Sequence, residues 1–192
     1  MSPGDEALRE RLLALLTERS YAEREVVLAS GRKSNFYVDC RETALHPEGA
    51  YLIGRAMLER LGDGESVDAV AGVTVGGDPL VTAVALVSHL EGCPLPAMIV
   101  RKEAKGHGVG GFLVGANRIQ PGARIALLED VVTTGGSVVK ALRRLTEAGY
   151  VVTRVLALVD REEGGADNLL AEGTTLEALF RRSDFPTGGG ES

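Results

Sequence analysis

The sequence predicts an α/β fold, a central and mostly parallel β-sheet flanked by helices. Three observations carry that prediction. Strand-length apolar runs alternate with segments of helical periodicity. The runs are apolar along nearly their whole length, as in strands covered on both faces. The chain has 192 residues, 44% hydrophobic and 25% charged, which suits one domain with a sizeable core.

The elements follow in order. Leu8, Leu12, Leu15 and Leu16 fall on one helical face, so residues 6–19 form an amphipathic helix. EVVLASGRKSNFYVD (25–39) reads as two short strands about a tight turn at Ser30-Gly31. PEGAYLIGRAMLERLG (47–62) is a helix with Pro47 in its first turn and Gly62 closing it. A strand from Val67 to Val75, a glycine loop and a helix from Pro79 to Leu90 come next, then a short strand in PAMIVR (96–101). GARIALLED (122–130) is a strand and GSVVKALRRLTEAG (136–149) a helix closed by Gly149. YVVTRVLALVD (150–160) is a strand, GADNLLAEG (165–173) a short helix and TLEALF (175–180) the last strand. Residues 1–185 thus read as one domain, with a terminal tail, PTGGGES (186–192), too poor in apolar surface to order itself.

Composition excludes several classes. No apolar run reaches the roughly 18 residues that span a bilayer, and the acidic start MSPGDEALRE does not read as a signal peptide. Cys40 and Cys93 stand in no metal-ligand spacing and read as small buried apolar residues, which suits a reduced, cytoplasmic protein. The net charge of −6 argues against a nonspecific nucleic-acid binder. An anionic substrate must therefore be drawn by a local cluster of positive charge. His46, before Pro47, reads as a surface or capping residue, and His89 suits the negative end of a helix dipole. Phe36 and Tyr37 either wall a pocket or fill the core.

Ligands of parallel sheets bind outside the carboxyl ends of the strands. That rule selects segments 74–79, 101–113, 129–137 and 160–165. In IALLEDVVTTGGSVVKAL (125–142), Glu129 and Asp130 end an apolar strand just before a loop of small hydroxyl and glycine residues. The backbone N–H groups of Val131, Val132, Thr133, Thr134, Gly135, Gly136 and Ser137 would converge on one point, with roughly half a positive charge from the following helix start. Such a loop suits a phosphate, and adjacent carboxylates suit sugar hydroxyls or a cation. The loop is no Walker A motif, since it lacks Gly-Lys-Ser/Thr. In RKEAKGHGVGG (101–111), Arg101, Lys102, Lys105 and His107 precede three glycines, a composition that lets a basic loop close over an anion. Without the neighbouring acids and glycines, each stretch would read as a solvated loop.

Residues 125–137 resemble the thirteen-residue signature of the type I phosphoribosyltransferases: four apolar residues, two acids and a threonine-glycine loop. That resemblance implies the type I fold, with a small N-terminal hood over about residues 1–45. It also implies that Glu129 and Asp130 meet the ribose hydroxyls and that residues 131–137 hold the 5-phosphate. VRKEAKGHG, SGRKSNFYVD and LVDREEGG further resemble the orotate branch of that family, over residues 6 to 185. The resemblance implies transfer of a phosphoribosyl group from 5-phosphoribosyl 1-diphosphate to orotate, in pyrimidine biosynthesis. It implies that Arg101, Lys102, Lys105 and His107 contact the diphosphate, with Lys105, His107 and Asp130 as catalytic residues, and that Thr133 and Arg161 touch orotate. It implies Mg²⁺ bound mainly through the substrate, and a homodimer whose loop 101–111 reaches the neighbouring active site. Two other readings remain: a purine phosphoribosyltransferase, and a regulator of the same fold that only senses the sugar donor. The chain departs from many relatives at Ala29 and in the loop TVGGDP (74–79), where they carry lysines. Backbone N–H groups of Val75, Gly76 and Gly77 could replace one of those lysines as an anion nest.

Overall fold

The computed structural model describes residues 3–27, 33–105 and 109–186. Along the chain run α1 (Pro3–Arg19), β1 (Tyr21–Val27), β2 (Lys33–Val38), α2 (Arg41–Ala44), α3 (Pro47–Gly62), β3 (Ala69–Val73) and α4 (Gly77–Leu90). Then come β4 (Ala97–Val100), β5 (Leu113–Val114), β6 (Arg124–Val132), α5 (Gly136–Glu147), β7 (Val151–Asp160), α6 (Gly165–Ala171) and β8 (Leu176–Arg181).

Strands β3 to β8 form one sheet in the order β5-β4-β3-β6-β7-β8. All its pairings are parallel except β4–β5, which is antiparallel at the edge. The pleat sorts each strand's side chains between two cores. Val70, Ala126, Leu128, Leu156 and Leu158 pack with α1, α3 and α4 on one face. Ala69, Ala71, Ile125, Leu127, Val155 and Ala157 pack with α5 and α6 on the other. With both faces covered, the strands have to be apolar throughout, and all five residues of β3 are buried.

Strands β1 and β2 pair as a separate antiparallel hairpin. Its expected turn at Ser30-Gly31 lies outside the described residues, as does most of the terminal tail, residues 187–192. The hairpin and α1 are not a detached cap. Leu12, Leu16 and Phe36 belong to the same core as α3 and β6, and the hydroxyls of Ser20 and Thr43 meet at 2.7 Å beneath them.

The structure departs from the sequence reading in several places. β6 runs two residues past the acids, through Val131 and Val132, which pair with Val159 and Asp160 of β7. α2 and β5, of four and two residues, are too short to leave a periodic signal. Cys40 is buried but Cys93 is exposed, because it sits in the surface connection between α4 and β4. His46 is the N-cap residue of α3 but its side chain makes no cap hydrogen bond. Among the described residues no helix is long and apolar enough to cross a membrane.

Arg154 in the middle of β7 is only 7% exposed. Its guanidinium donates to the carbonyls of Leu61 (2.8 Å) and Arg60 (2.9 Å), and forks onto Glu177 of β8 at 2.7 Å through two nitrogens. A cation thus satisfies the orphan carbonyls at the C-terminus of α3 and ties that helix to two strands. Arg154→Met should lower the unfolding free energy by about 3 kcal/mol, the low end for removing one partner of a buried pair, since Glu177 keeps some solvent. Urea unfolding measures it, and an unchanged midpoint would mean that the guanidinium contributes no stability.

Candidate active site

The helices that follow β3 and β6 leave toward opposite faces of the sheet, α4 into one core and α5 into the other. Neighbouring parallel strands whose connections diverge leave a crevice at their carboxyl ends. A cavity of about 340 Å³ lies there, lined by Thr74, Val75 and Gly76 after β3, Glu129 to Val131 of β6, Ser137 of α5, Lys102 after β4, and Tyr37, Val38, Asp39 and Arg41 from the end of β2 to the start of α2.

Backbone packing shapes the crevice. A Cβ on Gly72 would lie 2.6 Å from the carbonyl oxygen of Gly77, and one on Gly77 2.8 Å from the Gly72 backbone. The turn from β3 into α4 therefore requires both glycines. A Cβ on Gly76 would fall 2.1 Å from Cγ of Asp130. The missing side chain at Gly76 is the space that Asp130 fills.

The two acids do not act as one adjacent pair. Strand alternation turns them to opposite faces. Glu129 points toward α5, where Ser137 Oγ donates to its Oε1 at 2.7 Å. Asp130 turns toward Gly76 and accepts from the N–H of Val131 at 2.9 Å. Both still border the same cavity. Glu129 is only 5% exposed, and its Oε2 is buried with no hydrogen-bond partner. Burial pushes its carboxyl up to about 8, with Ser137 opposing and the charge of Asp130 adding. Burial also raises Asp130, against the N–H donors that favour its charge. A buried carboxyl with an idle oxygen on a cavity is prepared for a donor or a cation.

The glycine loop is shorter than the sequence suggested. Val131 and Val132 belong to β6; the N–H of Val131 is taken by Asp130, and the carbonyl of Val132 accepts from the N–H of Arg161 at 2.9 Å. Those two residues are thus strand in conformation, and the loop proper runs from Thr133 to the start of α5 at Gly136. Gly135 has φ +77°, a left-handed conformation that favours glycine. For Gly136, apart from its chain neighbours and its own helix backbone, no atom of the described residues lies within 4 Å of where a Cβ would sit. The fold does not demand glycine there. Its absent side chain keeps room open at the first turn of α5, where N–H groups and the helix dipole favour an anion. Asn168 of α6 braces the loop by donating to the carbonyl of Thr134 at 2.9 Å.

The basic loop departs from the end of β4. Arg101 and Lys105 donate through their N–H groups to the carbonyls of Phe112 (2.8 Å) and Gly111 (3.0 Å), which closes its root. Lys102 and Lys105 are exposed, and His107 lies outside the described residues. Sequence reasoning missed Arg144, on α5. It donates to the carbonyl of Arg101 and, at 2.9 Å, to that of Lys102, and stacks on Phe112 at 4.1 Å. The basic loop is thereby pinned to the helix that begins at the glycine loop.

Arg161 is buried at the end of β7, next to Thr133 through the Val132 backbone bond. Its Nη2 donates to the carbonyl of Phe36 at 3.0 Å and lies 2.9 Å from Glu163 Oε1. Phe36 is core, packed edge-on against Phe185, whereas Tyr37 reaches the cavity. An anionic base at Arg161 has to compete with Glu163.

Comparison with known proteins bears on this geometry. A family model described as the phosphoribosyl transferase domain matches residues 42–170. The chain is 50% identical to the orotate phosphoribosyltransferase of Sorangium cellulosum, over 96% of each chain. It is 52% identical to that of Thermosynechococcus vestitus, over 93% of each. The chain belongs to the orotate phosphoribosyltransferase family. A crystal structure of the Mycobacterium tuberculosis orotate phosphoribosyltransferase superposes with a TM-score of 0.79 at 35% identity, covering 92% of this chain and 98% of that one. The same enzyme in complex with 5-phospho-α-D-ribosyl 1-diphosphate gives 0.75 at 29% identity, covering 97% and 94%. The family fold is the observed one, a mostly parallel six-stranded sheet with helices on both faces.

The buried carboxyl predicts a pH dependence. The pKa of Glu129 is about 8 when folded, against an ordinary 4.5. The folded state therefore holds the extra proton between those values, so stability is full below the lower one and falls as pH rises through the upper. Glu129→Gln keeps an acceptor for Ser137 and should flatten that decline, read as urea midpoints at about pH 5.5 and about pH 8.5. Equal slopes in the two proteins would show that Glu129 is not charged against burial.

Proposed function

We propose that the chain transfers the phosphoribosyl group of 5-phosphoribosyl 1-diphosphate to orotate, giving orotidine 5-phosphate and pyrophosphate, a step in making pyrimidine nucleotides. One observation carries the reading: a single crevice is lined both by Ser137, in the first turn of the helix that follows the glycine turn, and by Glu129, a buried carboxyl with an idle oxygen. The named activity of relatives about half identical over nearly the full chain supports it.

In this reading the 5-phosphate sits against Thr133–Ser137, and Glu129 and Asp130 take the ribose hydroxyls. The bond from the anomeric carbon to the diphosphate oxygen breaks, the oxygen keeping the electron pair, as the ring nitrogen of orotate forms the new bond and its proton passes to the departing diphosphate or to solvent. Orotate is anionic with an acidic ring nitrogen, so no strong general base is needed. Positive charge gathers on the sugar and negative charge on the leaving group. Arg101, Lys102, Lys105 and His107 face the leaving group from the loop, and one such oriented donor is worth about 2.7–4 kcal/mol. Thr133 and Arg161 face orotate, with guanidinium matched to carboxylate.

Mg²⁺ fits this site. The carboxylates of Glu129 and Asp130, both on the crevice, offer hard oxygens to an ion that keeps water and substrate oxygens as its other ligands. When bound, the ion would neutralise charge on the diphosphate. The protein is further read as a single domain over residues 1–185, cytoplasmic, and a homodimer. Exposed Leu45, Tyr51, Leu86 and Leu90, on or beside α2, α3 and α4, supply apolar surface for a second copy. Each loop 101–111 would then reach the neighbouring site.

Steady-state assays with and without Mg²⁺ test the reading. Orotate should be accepted and adenine, hypoxanthine and xanthine refused; transfer to a purine instead would overturn it. Arg161→Ala should raise the orotate KM about tenfold or more with a smaller change in kcat, as for a lost charged hydrogen bond. An unchanged KM removes that residue from the base pocket.

A further inference from the structure

We infer that Arg41 binds the diphosphate of the sugar donor, as a cation held in place within the crevice that Lys102 also borders. The inference rests on the proposed function and adds a binding residue to its site. Among the described residues only two cationic side chains border the crevice, Arg41 and Lys102. Three carboxyl groups border it as well, those of Asp39, Glu129 and Asp130. A diphosphate entering that setting meets repulsion unless cations face it. The segment after β3, Thr74 to Asp78, offers backbone N–H groups but no basic side chain.

Arg41 is suited to the task by the way it is held. It opens the four-residue helix α2, just after the turn that leaves the hairpin. Asp39 grips it in a fork, accepting from Nε at 2.7 Å and from Nη2 at 2.6 Å. The backbone N–H of Arg41 also donates to Asp39, at 3.2 Å. The fork fixes the guanidinium plane and leaves Nη1 with no protein acceptor among the described residues. The side chain is 50% exposed, so an incoming anion can reach it. Asp130 and Tyr37 act on it through space, which puts it in electrostatic reach of the sugar-binding acids. A solvated surface pair would have no reason to border the crevice beside Asp130. The fork uses two of the five guanidinium N–H groups, and the two on Nη1 and the second on Nη2 remain in the same plane, matched to phosphate oxygens in a way a lysine cannot reproduce. Asp39 is then a positioning residue, which orients the cation before the donor arrives.

The test uses the full chain, with pyrophosphate and 5-phosphoribosyl 1-diphosphate as probes in the presence of Mg²⁺. Arg41→Ala should weaken pyrophosphate binding by calorimetry and raise the donor KM about tenfold or more, the scale of one charged hydrogen-bonding group. The orotate KM should stay within about twofold, because the contact lies on the leaving-group side. Arg41→Lys should recover part of the loss, keeping charge without the fork. The inference fails if Arg41→Ala binds pyrophosphate and donor like the unmodified protein. It fails too if the variant loses both substrates equally together with thermal stability, the pattern of a purely structural ion pair. If the unmodified protein neither binds the donor nor transfers to orotate, the proposed function falls and takes Arg41 with it.

Discussion

Two neighbouring strands, β3 and β6, send their following helices to opposite faces of the sheet, and every functional feature depends on that split. It opens the crevice at the carboxyl ends. It lets the chain after β3 and the chain after β6 face each other across a gap. The close backbone contacts fix the width of that gap: Gly72 against Gly77, and Gly76 against the carboxylate of Asp130. Side chains at these positions would push apart the strand, the helix start and the acid together. The glycines are therefore part of the architecture before they serve any ligand.

The pleat then does something that adjacency in sequence conceals. Glu129 and Asp130 are neighbours in the chain but leave the strand on opposite sides, one toward Ser137 and one toward Gly76. A ligand between them would be held from both walls of the crevice, not from one. Burial shifts Glu129 toward its neutral, protonated form, because desolvation disfavours the charged carboxylate. A sugar hydroxyl or a cation at its idle oxygen would replace that proton. Ligand binding and carboxyl ionisation are thus linked in one residue. The basic loop is tied to the same frame through Arg144, whose helix starts at the glycine turn.

Much of this was legible in the sequence, for physical reasons that also mark where it stopped. The continuous apolar runs of β3, β6 and β7 announced strands buried on both faces. The helical spacing of α3, together with Pro47 and Gly62, announced its limits. The acids and glycines of 129–137 announced a turn at the end of a buried strand, though not that Val131 and Val132 remain in the ladder; strand ends are set by pairing with β7, which no local pattern records. Arg41, Arg144 and Arg154 escaped because each is defined by a tertiary setting: a crevice wall, carbonyls 42 and 43 residues away, and a helix end 93 residues away. Of the three, Arg154 left a trace, a lone charge inside the apolar run VVTRVLALVD. Arg144 looked like the polar face of an amphipathic helix, and α2 was too short to show that Arg41 would be turned into the site. Cys93 went the other way, since nothing local distinguishes a small apolar residue in a surface connection from one in a core.

The most direct test of the central claim is a crystal structure of the protein with 5-phosphoribosyl 1-diphosphate and Mg²⁺. The 5-phosphate should lie against the N–H groups of Gly135 to Ser137, with the ribose hydroxyls spanning from Glu129 Oε2 to Asp130. Donor bound at any other place, with the space before Gly136 and the idle oxygen of Glu129 unvisited, would contradict the account.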